Sequence, residues 1–232
     1  MNLLALDTAT EACSVALLHN GQLIERYELA PRRHAQLVLP FVDALLAEAG
    51  IGKRQLDAIA VGRGPGAFTG VRLAISLAQG MALGLDVPVV PVSSLAALAQ
   101  DIADEVPDAQ LLACIDARMG EVYAGVYRRG VDGLVIAAAK ESVGPALDIA
   151  LPQAARWAVA GSGWASYATV LGERIGTPMY ADGARFPRAA MIARLAAPLF
   201  ARGEGVAAEL ALPVYLRDKV ALTTAERASA AR

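Results

Sequence analysis

Four glycines within nine residues, at positions 62, 64, 66 and 70, constrain the fold of this chain more than any other feature. The apolar run 57–61 before them is typical of a buried strand, and residues 71–85 after them predict a helix. A glycine-rich junction of this kind presents unpaired N–H groups at the positive end of the helix dipole, which suits an anion. We therefore predict either an anion- or nucleotide-binding loop or a tight turn that closes the helix against the strand.

The loop differs from two well-known phosphate-binding motifs. No Lys-Ser/Thr pair follows the glycines as in a Walker loop, and their spacing differs from that of the dinucleotide-binding fingerprint. We expect the hydroxyl of Thr69 to cap the N-terminus of the helix. The candidate anion-binding residues are Gly64, Pro65, Gly66, Thr69, Gly70 and Arg72.

Composition indicates a globular chain, with 56% hydrophobic and 19% charged residues. The formal net charge of −2 argues against a free-standing nucleic-acid-binding protein. The two cysteines and two histidines, Cys13, Cys114, His19 and His34, lack metal-ligand spacing, so we expect no metal site. The N-terminus does not resemble a signal peptide, and prolines interrupt the uncharged region near 73–100. We therefore expect a cytoplasmic protein without a membrane span.

The chain contains an internal repeat. An apolar strand that ends in aspartate opens each half, at residues 3–7 and 112–116, and a short loop and a second apolar strand follow. The predicted order is β-β-β-α-β-α-β-α, followed by a reduced copy. This order predicts an α/β protein with two lobes, each a mixed sheet flanked by helices.

The lobes are assigned to separate parts of the chain. Residues 1–106 are predicted to form the first lobe, completed by a helix near 188–201, and residues 107–187 form a smaller second lobe. Pro107 marks the break between them. Residues 218–232 are small, polar and charged, and we expect them to be a disordered tail.

Two predicted helices, 35–49 and 70–84, are apolar nearly all round, more than the single stripe that a surface helix needs. Such helices are either sandwiched within one domain or carry a face reserved for another protein chain. We predict that the isolated protein is a dimer built on these helices, although periodicity leaves two candidate faces. The predicted interface residues are His34, Leu37, Val38, Phe41, Val42, Leu45, Val71, Ala74, Leu77, Ala78 and Met81.

The two-lobe repeat with its strand-terminal aspartates resembles the superfamily of actin, the sugar kinases and the heat-shock ATPases. Four longer runs, at 7–17, 62–72, 115–123 and 213–217, are similar to one family in particular. Together they resemble the TsaB (YeaZ) family of bacterial tRNA threonylcarbamoyladenosine biosynthesis. The resemblance covers nearly the whole chain except its last dozen or so residues.

This resemblance implies a noncatalytic relative of TsaD. TsaD transfers the threonylcarbamoyl group to N6 of the adenosine 3′ of the anticodon, in tRNAs reading codons that begin with A. The family pattern implies that the chain pairs with TsaD, that the ATPase TsaE joins them, and that the chain alone forms a homodimer. It also implies indirect contact with tRNA through the complex, no cofactor of its own, and ATP or ADP only in the assembled complex.

Two departures from active relatives agree with a noncatalytic role. TsaD-like enzymes hold a metal with a His-x-x-x-His pair, but here His34 is followed by Val38 at the second position. One imidazole cannot replace two facing ligands, so His34 is interpreted as a helix-start residue or an interface contact. An active phosphate loop of the superfamily has glycine where this chain has Ala9, whose Cβ hinders approach to a phosphate. The vestigial loop consists of Asp7, Thr8 and Thr10, in which we expect Asp7 to cap a turn.

Two other functions are alternatives to that of an interaction subunit. An ATP-dependent small-molecule kinase would use Asp7 or Asp116 as a base, but this hypothesis rests on the fold alone. The metallopeptidase hypothesis fails because the chain offers too few metal ligands, with His34 but no second histidine four residues later. We predict that the chain has no catalytic residues, that it binds ATP weakly or not at all without a partner, and that it acts by fixing the conformation of TsaD.

Overall fold

The structure, a computed structural model, describes residues 1–217. The predicted tail 218–232 lies outside the described residues. Five strands form the first sheet in the order β3-β2-β1-β4-β5. Their bounds are Asn2–Asp7 (β1), Ala12–His19 (β2), Gln22–Leu29 (β3), Ala58–Gly62 (β4) and Val89–Val92 (β5).

The register of the first sheet follows from its turns. Asn20 and Gly21 both have positive φ, which allows the tight hairpin between β2 and β3. β1 pairs antiparallel with β2 and parallel with β4, so Leu4 lies opposite Leu17 on one side and Ile59 on the other.

The second sheet has the order β11-β10-β6-β7-β8, and β9 pairs with β7. The order of its main strands, β8-β7-β6-β10-β11, repeats that of the first sheet, so the predicted two-lobed fold is confirmed. β9 and β11 are short strands that the sequence pattern did not reveal. The bounds are Gln110–Arg118 (β6), Glu121–Arg129 (β7), Val135–Ala137 (β8), Ser142–Pro145 (β9), Trp157–Ala160 (β10) and Tyr180–Asp182 (β11).

Helices cover both faces of the first sheet. α1 and α2 bury their inner sides with one face of the sheet, and α5 packs on the other face. α3 and α4 pack on the second sheet. Packing of α5 on the first sheet agrees with the completion of that lobe, while the boundary near 107 stays a prediction. The bounds are His34–Ala49 (α1), Phe68–Leu85 (α2), Ser94–Ala103 (α3), Ser162–Ile175 (α4) and Ala189–Ala201 (α5).

Two side chains of the first sheet hold the start of α5. Ser14 accepts the N–H of Ala189 at 2.8 Å, and Glu25 accepts that of Ala190 at 3.0 Å. Glu25 also forms an ion pair with Arg188. These contacts supply the acceptors that the first N–H groups of a helix need, because no local side chain caps α5.

The start of α2 corrects one prediction. The helix begins at Phe68, and its N-cap residue is Ala67, which has no side chain able to cap it. Thr69 therefore lies in the first turn and is not the cap. By length and composition α2 is apolar enough to cross a membrane, but its inner side packs on the first sheet, as in the core of a globular protein.

Candidate functional site

The glycine loop between β4 and α2 is hydrogen-bonded to the turn between β1 and β2. Ala67 donates its N–H to the carbonyl of Ala9 at 2.7 Å. The hydroxyl of Thr8 donates to the carbonyl of Gly70, also at 2.7 Å. The β1–β2 turn and the glycine loop are therefore held together by hydrogen bonds.

Close approach of these two loops requires glycine at specific positions. A Cβ at Gly66 would lie 2.3 Å from the carbonyl oxygen of Ala9. A Cβ at Gly70 would lie 2.0 Å from that of Thr8. Both distances are shorter than any non-bonded contact tolerates, so a side chain is excluded at both positions. The tight-turn alternative thus explains these glycines without any ligand.

Asp7 is buried beneath the same junction. Its carboxylate accepts the N–H of Ala9 at 2.8 Å and the hydroxyl of Ser94 at 2.7 Å. Burial raises the pKa of Asp7, and these two hydrogen bonds oppose the rise. A Cβ at Gly62 would lie 1.9 Å from the carboxylate, so the space beside it is closed. Asp7 caps the turn as expected, and its position does not suit a base that must reach a substrate.

A cavity of about 710 Å³ lies between the two lobes. Its wall includes Thr10 from the β1–β2 turn, Pro65 and Gly66 from the glycine loop, and Ser162 at the start of α4. The C-terminal segment 214–217 completes the wall. The cavity therefore lies where the cleft of a two-lobed α/β protein is expected.

Charged residues of both lobes meet across the cavity. The guanidinium of Arg118 pairs with Asp116 at 3.0 Å in its own lobe and with Glu11 at 3.2 Å in the first lobe. Asp116 also accepts a hydrogen bond from the hydroxyl of Tyr167 at 3.3 Å. Both aspartates considered for a kinase are thus engaged with the chain itself, although Asp116 remains at the cavity wall.

His34 begins α1, as predicted, and lines the cavity. Its Nε2 is buried without a hydrogen-bond partner among residues 1–217. Val38, one turn later, is fully buried in the core. Within the same residues, the structure contains no group of three His, Cys, Asp or Glu side chains arranged to hold a metal. That the chain binds no metal stays a prediction.

Burial corrects the predicted interface on α1 and α2. Six of the eleven side chains lie in the core of the first lobe and cannot contact another chain without leaving it. Periodicity could not separate them from outward residues, because both helices are apolar on several sides. The six buried residues are Val38, Val42, Leu45, Val71, Ala74 and Ala78.

The remaining apolar residues of this surface are accessible. Leu37, Phe41, Leu77 and Met81 are partly buried and pack at the edge of the core. Residues beyond them are exposed, including small ones on both helices: Leu39, Pro40, Ala44 and Ala47 on α1, and Ser76, Gly80, Leu83 and Gly84 on α2. We call this accessible part of α1 and α2 the helix face.

Arg72 belongs to a cluster at one end of this face. Its guanidinium lies 3.7 Å from the ring centroid of Phe68, and its Nε donates to the hydroxyl of Tyr215 at 2.6 Å. Sequence reasoning placed Arg72 near the loop but missed both aromatic partners. Tyr215 lies in the run 213–217, one of the four runs that resemble the TsaB family, but the sequence alone assigns it no role. No local signal links it to Arg72, because 143 positions separate the two residues.

Comparison with known proteins agrees with this architecture. The family model described as TsaD, tRNA N6-adenosine threonylcarbamoyltransferase, matches residues 26–223. The chain is 42% identical over 224 residues to the tRNA threonylcarbamoyladenosine biosynthesis protein TsaB of Escherichia coli strain K12, which covers 95% of this chain and 96% of that protein.

Solved structures give the same result. YeaZ from Pseudomonas aeruginosa superposes with a TM-score of 0.86 at 51% identity, over 93% of this chain and 99% of that one. A second Pseudomonas aeruginosa structure, described as an uncharacterized protein with similarity to peptidase YeaZ, gives the same values. Since the family model and the relatives cover most of the chain, it belongs to the TsaB (YeaZ) family, within the wider group of TsaD-like two-lobed proteins.

Proposed function

We propose that this chain takes part in tRNA threonylcarbamoyladenosine biosynthesis as a noncatalytic subunit that pairs with TsaD. TsaD transfers the threonylcarbamoyl group to N6 of the adenosine 3′ of the anticodon, in tRNAs that read codons beginning with A. This chain serves as the scaffold that activates TsaD, and the ATPase TsaE joins the pair. In the absence of TsaD, two copies of the chain associate through the same helix face.

The closed junction of the two loops carries this proposal. The carbonyl of Ala9 already accepts the N–H of Ala67 at the start of α2, and the carbonyl of Thr8 lies against Gly70. The partial negative charge of these two carbonyl oxygens repels a phosphate. The N–H of Ala67, one of the donors that could bind a phosphate, is already hydrogen-bonded. ATP therefore binds weakly or not at all to the unpartnered chain, and nucleotide enters only in the assembled complex.

The helix face supports a docking role. Its centre combines half-buried apolar side chains with exposed small residues, which let a second helix approach closely. Both helices keep this side accessible because each packs on the first sheet with its opposite side. Apolar side chains that stay accessible on a surface, such as Leu39 and Leu83 here, are typical of protein–protein contacts. The homodimer and the pair with TsaD use one surface and therefore compete.

Docking can activate TsaD without any catalytic group from this chain. A partner that binds one conformation of a two-lobed protein more tightly shifts the population toward that conformation. A preference of about 1.4 kcal/mol changes the ratio tenfold. In this chain, α1 and α2 both pack on the first sheet, so the helix face is held in one arrangement by the core of a single lobe.

Mass measurement of the chain mixed with TsaD, compared with each protein alone, tests the proposal. The Ala44→Glu variant places a charge at an exposed position of the helix face, and Leu77→Glu places one at its half-buried edge. Leu147→Glu, at an exposed position of the second lobe, is the matched control. We expect both face variants to lose the heterodimer and the homodimer, whereas the control keeps both.

The functional consequence is measured in the complete reaction. Wild type or a face variant is mixed with TsaD, TsaE, tRNA and the threonylcarbamoyl-adenylate donor. Loss of the heterodimer with modification still at the wild-type rate would show that docking through this face is not the role of the chain.

An ATP-dependent kinase of the same fold is the alternative. The observation that favours it is Asp116, which lies at the cavity wall. Hydrolysis of ATP is measured for the purified chain with and without TsaD. Tight ATP binding and turnover by the chain alone, lost in Asp116→Asn, would establish the kinase and refute the scaffold.

A further inference from the structure

Arg72 differs from most arginines of this chain in its surroundings. It is the only charged residue of α2, and its side chain is on the exposed side of the helix. Most other arginines of residues 1–217 pair with a carboxylate, as Arg118 does with Asp116. In the same residues, Arg72 has aromatic partners and no carboxylate partner.

The two aromatic rings fix the guanidinium in place. Phe68 lies against one side of it at 3.7 Å, and Tyr215 lies 5.5 Å from it while accepting the hydrogen bond from Nε. Stacking of this kind restricts the rotamers of arginine before any partner arrives, which lowers the entropic cost of binding. The terminal Nη groups remain to donate two parallel hydrogen bonds.

The aromatic rings of this cluster are accessible from outside and also line the cavity between the lobes. Half of Phe68 (50%) and nearly half of Tyr215 (47%) are exposed, and Leu210 and Leu212 nearby in the chain are exposed as well. A surface that binds a nucleic-acid backbone needs several cations to neutralise successive phosphates. Other arginines, among them Arg32 and Arg217, line the cavity beside these rings, but Arg72 is not part of its wall. An arginine fixed by exposed aromatic rings is typical of a protein interface hot spot.

We propose that Phe68, Arg72 and Tyr215 form a preorganised site for a carboxylate side chain of TsaD. The cluster lies at the end of the helix face and extends it onto the C-terminal segment. Arg72 donates two hydrogen bonds to the carboxylate, while the aromatic rings contact apolar atoms around it. This inference rests on the proposed pairing with TsaD and adds a specific anchor to it.

Calorimetry with TsaD from the same organism tests the site. Dissociation constants are measured for wild type, Arg72→Gln, Arg72→Lys and Tyr215→Phe in 50 and 300 mM salt. We expect Arg72→Gln to weaken binding at least tenfold and to reduce its dependence on salt. Arg72→Lys restores part of the loss, because it keeps the charge but not the planar fork, and Tyr215→Phe has a smaller effect. Arg128→Gln, at an exposed position of the second lobe, is the control and binds as wild type.

A double-mutant cycle identifies the carboxylate. Acidic residues of TsaD are replaced one at a time by their amides and combined with Arg72→Gln. If the proposal is correct, one replacement in TsaD weakens binding to the wild-type chain but causes no further loss of binding to the Arg72→Gln variant. Thermal unfolding of each variant confirms that the fold is intact, which is expected because Arg72 is on the surface.

Other outcomes separate the possible errors. If Arg72→Gln binds TsaD as tightly as wild type does, the site is wrong and the proposed function still holds. If wild type does not bind TsaD at all, the proposed function fails first. If the variant loses only the homodimer, the carboxylate belongs to a second copy. If it loses only tRNA binding by the complex, the ligand is a phosphate, and either result overturns the assignment to TsaD.

Discussion

Asp7 ends β1, and Asp116 lies two residues before the end of β6, the equivalent central strand of the second sheet. Each carboxylate accepts the backbone N–H of the residue two positions later at 2.8 Å. Their surroundings differ. Only 1% of Asp7 is exposed, whereas the side chain of Asp116 is 14% exposed and forms an ion pair with Arg118. The same turn has therefore become part of the core in the first lobe, while in the second it faces the cavity.

Each lobe also has glycine in the loop that lies against its central strand. Gly161, after β10, is the second-lobe counterpart of the glycine loop, and a Cβ there would lie 2.2 Å from the carbonyl oxygen of Cys114 on β6. In the first lobe the corresponding loop is longer and also fastens the start of α2 to the β1–β2 turn. Both lobes thus use glycine to bring a loop against the central strand. In the first lobe the N–H of Ala67 joins the start of α2 to the turn, whereas in the second the N–H of Asp116 donates to the hydroxyl of Ser162 at the start of α4.

The Gly70→Ala substitution tests the junction of the first lobe and has the largest expected effect. The added Cβ meets the carbonyl of Thr8, a backbone atom that cannot move without separating the two loops. We expect a loss of about 3 kcal/mol in the free energy of unfolding. Denaturant unfolding followed by circular dichroism measures it.

Gly172→Ala in α4 is the matched control. Its Cβ would have only an ordinary contact with Trp164 at 3.9 Å, so we expect a gain of about 0.5 to 1 kcal/mol from the better helix former. If Gly70→Ala is as stable as wild type, the junction in solution is open, and the argument against phosphate binding fails with it.

The burial of Asp7 makes the stability of the chain depend on pH. Burial raises the pKa of Asp7 in the folded state above its ordinary value of 3.8. The folded chain then binds more protons than the unfolded chain between those two values. This contribution to stability is fully present below the ordinary pKa and is lost as the pH rises through the folded pKa. Each unit of the rise corresponds to about 1.4 kcal/mol.

The Asp7→Asn variant removes this dependence, because its amide cannot ionise but can still accept the N–H of Ala9. We expect the variant to gain stability relative to wild type as the pH is raised from 4 toward 8. Denaturant unfolding at several pH values measures the difference. A constant difference across that range would mean that Asp7 titrates normally and is less buried than the structure indicates.

The repeat and the glycine loop were predictable from sequence because both are local patterns. An apolar strand that ends in aspartate is visible twice, and the glycine spacing locates the junction. What closes that junction was not predictable. The contacts of Gly70 with Thr8 and of Asp7 with Ser94 join positions far apart in the chain. The sequence therefore predicted a loop but could not decide whether its glycines make room for a ligand or for the chain's own backbone.

The helix face shows a different limit. Apolar residues occur on several sides of α1 and α2, so the spacing alone predicts no unique inner side. The fold buries the side that includes Val38 and Ala74 and leaves Ala44 and Ser76 outside. Small and polar residues on the outer side would have been a better guide than the largest apolar ones. The cap of α2 was mispredicted for a related reason, since a threonine near a helix start need not be the first residue outside it.

Asp116→Asn tests the second turn and has a smaller expected effect. The amide can still accept the N–H of Arg118 but no longer pairs with its charge. Because the arginine is largely exposed, we expect a loss below about 1 kcal/mol in the free energy of unfolding. A loss as large as that of Gly70→Ala would show that the second turn is as much a part of the core as the first.

The smallest expected effect concerns the ion pair that joins the two turns across the cavity. Glu11 and Arg118 lie 3.2 Å apart, and both side chains are substantially exposed. A double-mutant cycle with Glu11→Gln and Arg118→Gln isolates their coupling from the pair that Arg118 forms with Asp116. We expect about 0.2 to 0.5 kcal/mol, decreasing as salt is added. A coupling above about 2 kcal/mol that does not change with salt would mean that the pair is shielded from water. The two turns would then form one buried unit, and the contrast between them would disappear.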